Sequence, residues 1–440
     1  MSIATEPGKP HRIVIVGGGA GGLELATRLG HNLGRTHKAK VTLVDGSPTH
    51  IWKPLLHEVA TGALNTGEDE VNYFAHAHRH GYEFEFGFMS DLDREEKTIR
   101  LDAVRDEDDG TVLTGPRLIP YDTLVLAVGA ICNDFGTPGV QENCMQLNTP
   151  TEADRLRKRI LGQSFIVGTA NDPLRELRIS IIGAGPTGVE LAAEIHHAVT
   201  EAHNYGSHLA PAQLRINIIE AAPRILSGAP ESLSLYATTE LERRHISVLT
   251  NSKVAQVNPD SVSLADGRII PSDIIVWAAG VKAAPWLSTL GLQTNRNGQI
   301  EVTSVMQTVT DKHIFAIGDC AFATDGEGGP PLNATAQVAH QQARWLAQML
   351  EQYFEGREVA PFRFKPQGIM VSLGKSTAVG SLAAVVGPKR DYYVEGLGAK
   401  LIYSSLYRMH QAALHGWFMA TLLYLGDKLR RIANPALKLH

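Results

Sequence analysis

The chain has 440 residues, 43% hydrophobic and 20% charged, a length that supports two or three domains around a sizeable buried core. Its 41 Lys and Arg against 46 Asp and Glu leave a formal net charge of -5, which removes the broad basic footprint of a nucleic-acid binder. Three scattered cysteines with no CxxC pair exclude a disulfide framework, and no metal site is expected.

Residues 1–19 lack the charged start, apolar run and cleavage site of a signal peptide, so the chain is expected to fold in the cytoplasm. Arg12–Val16 (RIVIV) is a β-branched run of the kind that makes a buried parallel strand. It runs into a glycine cluster in which Gly17, Gly19 and Gly22 complete GxGxxG, followed by LELATRL at helical spacing. The first glycine permits a tight turn, the second lets a pyrophosphate approach the backbone around Gly19 and Ala20, and the third lets helix pack on strand. The helix start offers free N–H groups and partial positive charge to phosphates. Lys40–Asp45 (KVTLVD) is a second strand, and its terminal carboxylate, Asp45, can accept bonds from a ribose diol.

His50–Gly62 reads as a loop and short helix with Lys53 available to a phosphate. In Phe74–His80 (FAHAHRH) the histidines alternate, which splays the three rings around a helix and predicts a solvated surface. Asp102–Asp109 reads as an acidic connection. Leu124–Ala130 (LVLAVGA) is an apolar strand ending in small residues, a place where Ala130 can pass close to a cofactor.

Arg178–Ile182 (RISII) opens a second copy of the same device. Gly183, Gly185 and Gly188 complete GxGxxG, a helical period follows, and Leu214–Glu220 (LRINIIE) again ends in an acid. Two fingerprints mean two dinucleotide sites, one the natural seat of a tightly held flavin, FAD, the other of a nicotinamide that delivers hydride to it. A carboxylate at Glu220 bonds the 2′-hydroxyl of NADH and repels the 2′-phosphate of NADPH, with Arg224 four residues on as a softening influence. Ile274–Val281 (IIVWAAGV) brings Gly280 to the nicotinamide side. Ile314–Asp319 (IFAIGD) ends in a carboxylate, Asp319, that can meet flavin ribityl or phosphate oxygens.

From Lys400 the composition shifts. Ile402, Leu406, Met409, Ala413, Trp417, Ala420 and Tyr424 recur at steps of four or three and predict one continuous stripe, flanked by Lys400, Arg408, Lys428, Arg430, Arg431 and Lys438. An apolar face with aromatic anchors and a cationic flank predicts a helix lying on an anionic lipid surface, with a dimer seam or core cover as the alternative.

Across essentially its whole length the sequence resembles the two-dinucleotide-binding-domain flavoproteins, and within them the type II NADH dehydrogenases. Besides the two fingerprints and IFAIGDC, the narrow marker is Ala336–Gln341 (AQVAHQ), which looks like the AQxAxQ motif those enzymes carry beside flavin and quinone. Gln337 and Gln341 stand at i, i+4 on one helix face, each with an amide for a quinone carbonyl, and a helix start near Asn333 would support the flavin. The resemblance places His50–Gly62 around the flavin. It also places Glu190 near the nicotinamide–flavin contact, where a first-turn glutamate answering the helix dipole is the alternative.

The expected fold is α/β, with two Rossmann-like dinucleotide-binding domains and a C-terminal helical membrane-associating segment. A discontinuous FAD-binding domain is expected over 1–150 and 290–395, an NADH-binding domain over 151–289, and the membrane segment over 396–440. The resemblance implies a non-proton-pumping NADH:quinone oxidoreductase, a homodimer peripheral to the cytoplasmic face of the cell membrane, passing hydride from NADH to FAD and two electrons to a membrane quinone. The competing readings are a sulfide:quinone oxidoreductase, for which Cys132 has no evident partner thiol, and a soluble NADH-dependent flavin reductase.

Overall fold

In the computed structural model, residues 10–433 are described apart from 107–108, 171, 173, 355–356, 358, 375–376 and 383–391. Lys438 and part of the acidic connection lie outside the described residues, as do the side chains of Lys400, Arg430 and Arg431.

Nine short strands build two parallel sheets. In chain order they are β1 (His11–Val16), β2 (Ala39–Asp45), β3 (Glu83–Phe86), β4 (Thr123–Leu126), β5 (Leu177–Ile182), β6 (Leu214–Ile219), β7 (Ser247–Leu249), β8 (Ile274–Trp277) and β9 (Ile314–Ala316). The first sheet has the order β9-β4-β1-β2-β3, with Ile15 of β1 registered between Val125 and Leu43. The second has the order β7-β6-β5-β8, with Ile181 between Ile218 and Val276. Ile13, Ile15, Leu43, Leu124, Ile179 and Ile181 are fully buried. Burial on both faces is the reason residues 13–16, Thr123–Leu126 and Ile274–Trp277 do not alternate, whereas the edge strand β3 (EFEF) does.

The helices that position the site are α1 (Ala20–Leu29), α2 (Leu56–Thr61), α3 (Tyr73–His80), α4 (Pro186–Asn204), α5 (Ala336–Phe354), α6 (Gly396–His415) and α7 (Trp417–Ala433). Before the C-terminal pair comes an antiparallel sheet of β10 (Ile369–Ser372), β11 (Ala378–Leu382) and β12 (Tyr392–Glu395).

The duplication goes deeper than the glycine motifs. Just before β4 the chain makes a three-stranded antiparallel sheet from 89–120, and just before β8 it makes another from 254–271. Arg12 donates through its backbone N–H and Nε to Asp122, with Nη2 on the other carboxylate oxygen at 2.7 Å. Arg178 does the same to Asp273, with Nη2 at 3.1 Å. Each bidentate pair staples the start of a central strand to the residue preceding its returning neighbour.

By compactness the chain divides into one unit of Met1–Trp52, Glu70–Ile131 and Val281–Lys365, and a second of Lys53–Asp69, Cys132–Gly280 and Pro366–His440. The first contains the first fingerprint and α5. The second contains the second fingerprint, α2 and the C-terminal helices.

Two expectations need correction. Phe74–His80 is helical, but His76 and His80 point inward and stack at 4.1 Å between ring centroids, while His78 is exposed. The i, i+4 spacing puts those two on one face, where His76 Nδ1 meets the Tyr82 hydroxyl at 2.8 Å. The tail is also not one continuous stripe. Gly416, at φ +80°, ends α6 and starts α7. In α6, Ala399, Tyr403, His410 and Leu414 face inward, whereas Trp417, Phe418, Leu422, Leu425 and Leu429 of α7 are exposed. Among the described residues no helix is long and apolar enough to cross a membrane.

Candidate functional site

The two glycine loops have the same construction. Gly17 sits at φ +102°, and a Cβ there would lie 2.4 Å from the Ala127 carbonyl oxygen. Gly183 sits at φ +101°, and its Cβ would lie 2.7 Å from Ala279 Cα. Both conformations and both approaches demand glycine. Gly22 and Gly188 carry the close helix–strand packing, since a Cβ would come within 1.8 Å of the Gly17 carbonyl and 2.0 Å of the Gly183 carbonyl. Gly19 and Gly185 differ from all four. A Cβ at either meets nothing within 4 Å.

That open space lies at the N-terminal ends of α1 and α4, neither of which has an acidic residue in its first turn. The N–H groups of a helix start beside a cradle that a Cβ can enter without contact suit a pyrophosphate. A dinucleotide therefore fits the residues present at both loops.

The acids at the ends of the second strands are also matched. Asp45 accepts from Gly18 N at 2.6 Å and Ser47 N at 2.8 Å. Burial raises the Asp45 pKa against those two N–H bonds. Glu220 accepts from Ala184 N and Ala222 N, both at 2.8 Å. Each carboxylate thus holds the glycine loop and retains lone pairs for a ribose. The Arg224 guanidinium donates to the carbonyls of Leu226 and Ser227, so it is committed to its own turn and not aimed at a 2′-phosphate.

Around the first fingerprint, Ala130 is buried and Asp319 half-buried, the latter in a short 3-10 turn, Gly318–Cys320. Gln342 holds that turn through a 2.7 Å bond from Gly318 N to its side-chain oxygen. The motif AQVAHQ ends one residue before Gln342, and only the fold reveals that this fully buried amide faces the Gly-Asp turn.

Helix α5 begins at Ala336, with the Thr335 hydroxyl accepting from Val338 N, and not at Asn333. Gln337 is half-buried in its first turn. Gln341 uses both ends of its amide on the Lys365 backbone, donating to the carbonyl at 2.8 Å and accepting from N at 3.0 Å. The two glutamines share a face, but Gln341 anchors a neighbouring chain segment. Lys53 falls in the second unit, in a 3-10 turn leading into α2.

Glu190 is the fifth residue of α4, beyond the first turn, so the helix dipole does not account for it. Its side chain turns into the second unit. Oε1 accepts from Ser372 N of β10 at 2.9 Å, and Oε2 lies 3.7 Å from His57 Nδ1 of α2. Tyr403 of α6 bonds the same carboxyl group. Burial raises the Glu190 pKa, opposed by His57, Ser372 N and Tyr403 and assisted by Glu58. With Oε1 occupied by a backbone donor, a proton on this carboxyl resides on Oε2.

The three cysteines are free thiols. Burial pushes Cys144 and Cys320 each up to about 12 and raises Cys132 as well, so none is set up as a thiolate relay.

Residues 11–343 match the pyridine nucleotide-disulphide oxidoreductase family. The chain is 41% identical to the type II NADH:quinone oxidoreductase of Haemophilus influenzae, over 97% of this chain and 99% of that protein. It is 28% identical to the type II NADH:quinone oxidoreductase NdhA of Mycobacterium tuberculosis, over 93% of this chain and 87% of that protein. Among solved structures, NDH2 from Plasmodium falciparum in complex with NADH superposes with a TM-score of 0.80 at 18% identity, covering 98% of this chain and 100% of that one. The sulfide:quinone oxidoreductase of Aquifex aeolicus superposes with a TM-score of 0.72 at 20% identity, covering 92% of each. The architecture is common to both activities.

Proposed function

The chain belongs to the pyridine nucleotide-disulphide oxidoreductases and within them to the type II NADH:quinone oxidoreductases, and from that premise we propose which of its residues carry the reaction and where it operates. It is an FAD-dependent enzyme that takes electrons from NADH and reduces a quinone. When bound, FAD supplies the two-electron redox chemistry that links the two substrates.

The FAD-binding domain is assigned to 1–150 and 290–395 and the NADH-binding domain to 151–289, divisions drawn by cofactor where the compact units are drawn by packing. Gly17, Gly19, Ala20 and Gly22 hold the flavin's pyrophosphate and Asp45 its ribose. Ala130 and Asp319 complete that site within the first unit, and Gln337 serves flavin and quinone. Gln341 acts on the quinone side by fixing Lys365. Gly183, Gly185 and Gly188 take the NADH pyrophosphate, Glu220 selects the 2′-hydroxyl, and Gly280 lets the nicotinamide half pass. Quinol formation consumes protons, and Glu190 is assigned to hold one at Oε2.

The observation that supports this reading most is the pair of open glycine faces, at Gly19 and Gly185, each at a helix start with an acid-ended strand beside it. The test is a comparison of steady-state rates of the purified yellow protein with NADH, NADPH and sulfide, using a short-chain quinone as acceptor. NADH should be strongly preferred and sulfide inert. Sulfide turnover matching that of NADH would overturn it.

The exposed apolar side of α7 supports a peripheral seat on the cytoplasmic face of the membrane. Trp417 and Phe418 are 71% and 78% exposed, and Arg408 and Lys428 flank Tyr424 at 5.1 and 5.6 Å from its ring centroid. Aromatic anchors beside cations suit the headgroup region of an anionic lipid surface, where the enzyme would meet its membrane quinone. A homodimer seam on the same helix is the alternative outcome.

A further inference from the structure

Phe135 is a large aromatic side chain, 66% exposed, with a backbone φ of +51°. Gly136 follows at φ +67°, and Thr137 N donates to the Asp134 carbonyl at 2.9 Å. Two successive left-handed residues inside such a bond are the mark of a type I′ turn, whose first position is normally Asn, Asp or Gly. A bulky residue there is strained, and its ring is not buried in compensation. Strain of this kind at an exposed position points to function.

The turn is fastened to the end of β8. The Trp277 indole N–H donates to the Asn133 carbonyl at 2.8 Å, Asn133 N donates to the Gly280 carbonyl at 3.3 Å, and the Asn133 side chain accepts from Phe135 N at 3.0 Å. These bonds lay the Phe135 ring on Gly280, where a Cβ would come within 2.7 Å of the ring's Cζ. In the duplicated first sheet the matching glycine after β4 is Gly129, also at positive φ, and a Cβ there meets nothing within 4 Å. The aromatic cover is therefore an addition to the second copy alone.

Its place in the sheet identifies what it covers. The order β7-β6-β5-β8 reverses direction between β5 and β8, and ligands of such sheets sit at the carboxyl ends of the strands beside that reversal. Glu220, directly after β6 on one side of β5, takes the adenosine ribose, and the 183–188 loop takes the pyrophosphate. The rest of the dinucleotide then extends over the end of β8, on the opposite side of β5, towards Gly280.

We propose that Phe135 is a positioning residue for NADH, an aromatic shelf on Gly280 that packs against the nicotinamide-ribose half of the coenzyme. The proposal rests on the second fingerprint being the NADH site. A flat hydrophobic face with a fixed orientation restricts the pose of the nicotinamide, and the strained turn holds that face in place before the coenzyme arrives.

The test uses the full FAD-loaded chain, with NAD+ as a probe that cannot reduce the flavin and ADP as a probe of the adenosine half alone. Phe135→Asn and Phe135→Gly should weaken NAD+ binding about two- to tenfold, leave ADP binding unchanged, and keep or raise the thermal midpoint because strain is relieved. Phe135→Tyr should retain wild-type NAD+ affinity. Unchanged NAD+ affinity in the Asn and Gly variants, equal weakening of ADP, or a lowered midpoint would overturn the proposal and make the ring structural. Gly185→Val, with open space for its side chain, separates the two levels of the argument. If it abolishes ADP binding while Phe135 variants bind normally, only the shelf is wrong. If it binds ADP like the wild type, the assignment of the second fingerprint falls, and the shelf with it.

Discussion

Glu24 Oε2 lies 2.6 Å from His340 Nδ1, joining the helix that carries the first glycine fingerprint to the helix that carries Gln337 and Gln341. Glu24 is fully buried, and its other oxygen accepts from Arg344 Nε at 2.7 Å and Arg28 Nε at 2.9 Å. One carboxylate thereby sets the register of α1 against α5, and so of the first glycine loop against Gln337 and Gln341.

Burial pushes the Glu24 carboxyl pKa up, but bonds from His340 and Arg344 outweigh it and bring the value down from 4.5 to about 2. A depressed folded pKa contributes stability that is present above the unfolded value and is lost as pH falls through the folded one. That window runs from 4.5 down to about 2. Glu24→Gln should cost on the order of 3 kcal/mol at neutral pH and flatten the acid limb of a denaturation series below pH ~5. Identical acid limbs for variant and wild type would remove Glu24 as the register pin.

The glycines divide into those the fold needs and those the ligand needs. Gly19→Val should fold and purify without flavin colour, because its side chain enters only the space left for the pyrophosphate. Gly22→Ala should lose stability instead, its Cβ colliding with the Gly17 carbonyl. Absorbance of bound flavin and the thermal midpoint, measured on both variants, check the division. A yellow Gly19→Val protein would contradict it.

Coenzyme choice should depend on Glu220. Glu220→Ala removes the ribose acceptor and one anchor of the loop at Ala184, so kcat/KM for NADH should fall tenfold or so, at about 1.5 kcal/mol for a bond to a charged group. With the charge gone, the gap to NADPH should narrow. Kinetics with both coenzymes measure it, and an unchanged ratio would take Glu220 out of the site.

Glu190 predicts a pH dependence of the opposite sign to Glu24. Its folded pKa is raised, so the stability its neutral form contributes is fully present below the unfolded value and is lost as pH rises through the folded one. Glu190→Gln, which mimics the protonated carboxyl, should gain on the wild type as pH increases while slowing steady-state quinone reduction. Thermal midpoints across acid and mildly alkaline pH would decide. Parallel curves would mean that Glu190 does not change protonation over that range.

Membrane attachment should reside in α7 alone. Tyr403 of α6 is buried and bonded to Glu190, so a cut ahead of α6 would damage the fold, whereas a cut after Gly416 removes a helix that is mostly exposed. The shortened protein should keep its flavin and its reduction by NADH, yet lose co-sedimentation with anionic liposomes. Binding of intact liposomes by the shortened, flavin-loaded protein would turn the exposed face of α7 into a candidate dimer seam.

Contiguous residues by themselves determine much of this protein. The β-branched runs, the two GxGxxG turns and the acids ending β2 and β6 are local devices, and short-range sterics make them what they are wherever they occur. The same holds for the choice of glycine at Gly17 and Gly183, whose left-handed backbone is required within three residues of a strand end. The tertiary structure decided the rest, because a periodic pattern says which face of a helix is apolar but not what will cover it. Sequence offers Glu190 either as a residue of the nicotinamide–flavin contact or as a helix-start acid, and neither reading contains Ser372, 182 residues later, which donates to it. Gln341 reads as a free amide until Lys365 takes both ends, and His76 and His80 read as solvated until the fold closes over them. The tail's stripe reads as one helix because spacing alone cannot register the turn at Gly416, where a residue at positive φ separates an inward-facing α6 from a mostly exposed α7.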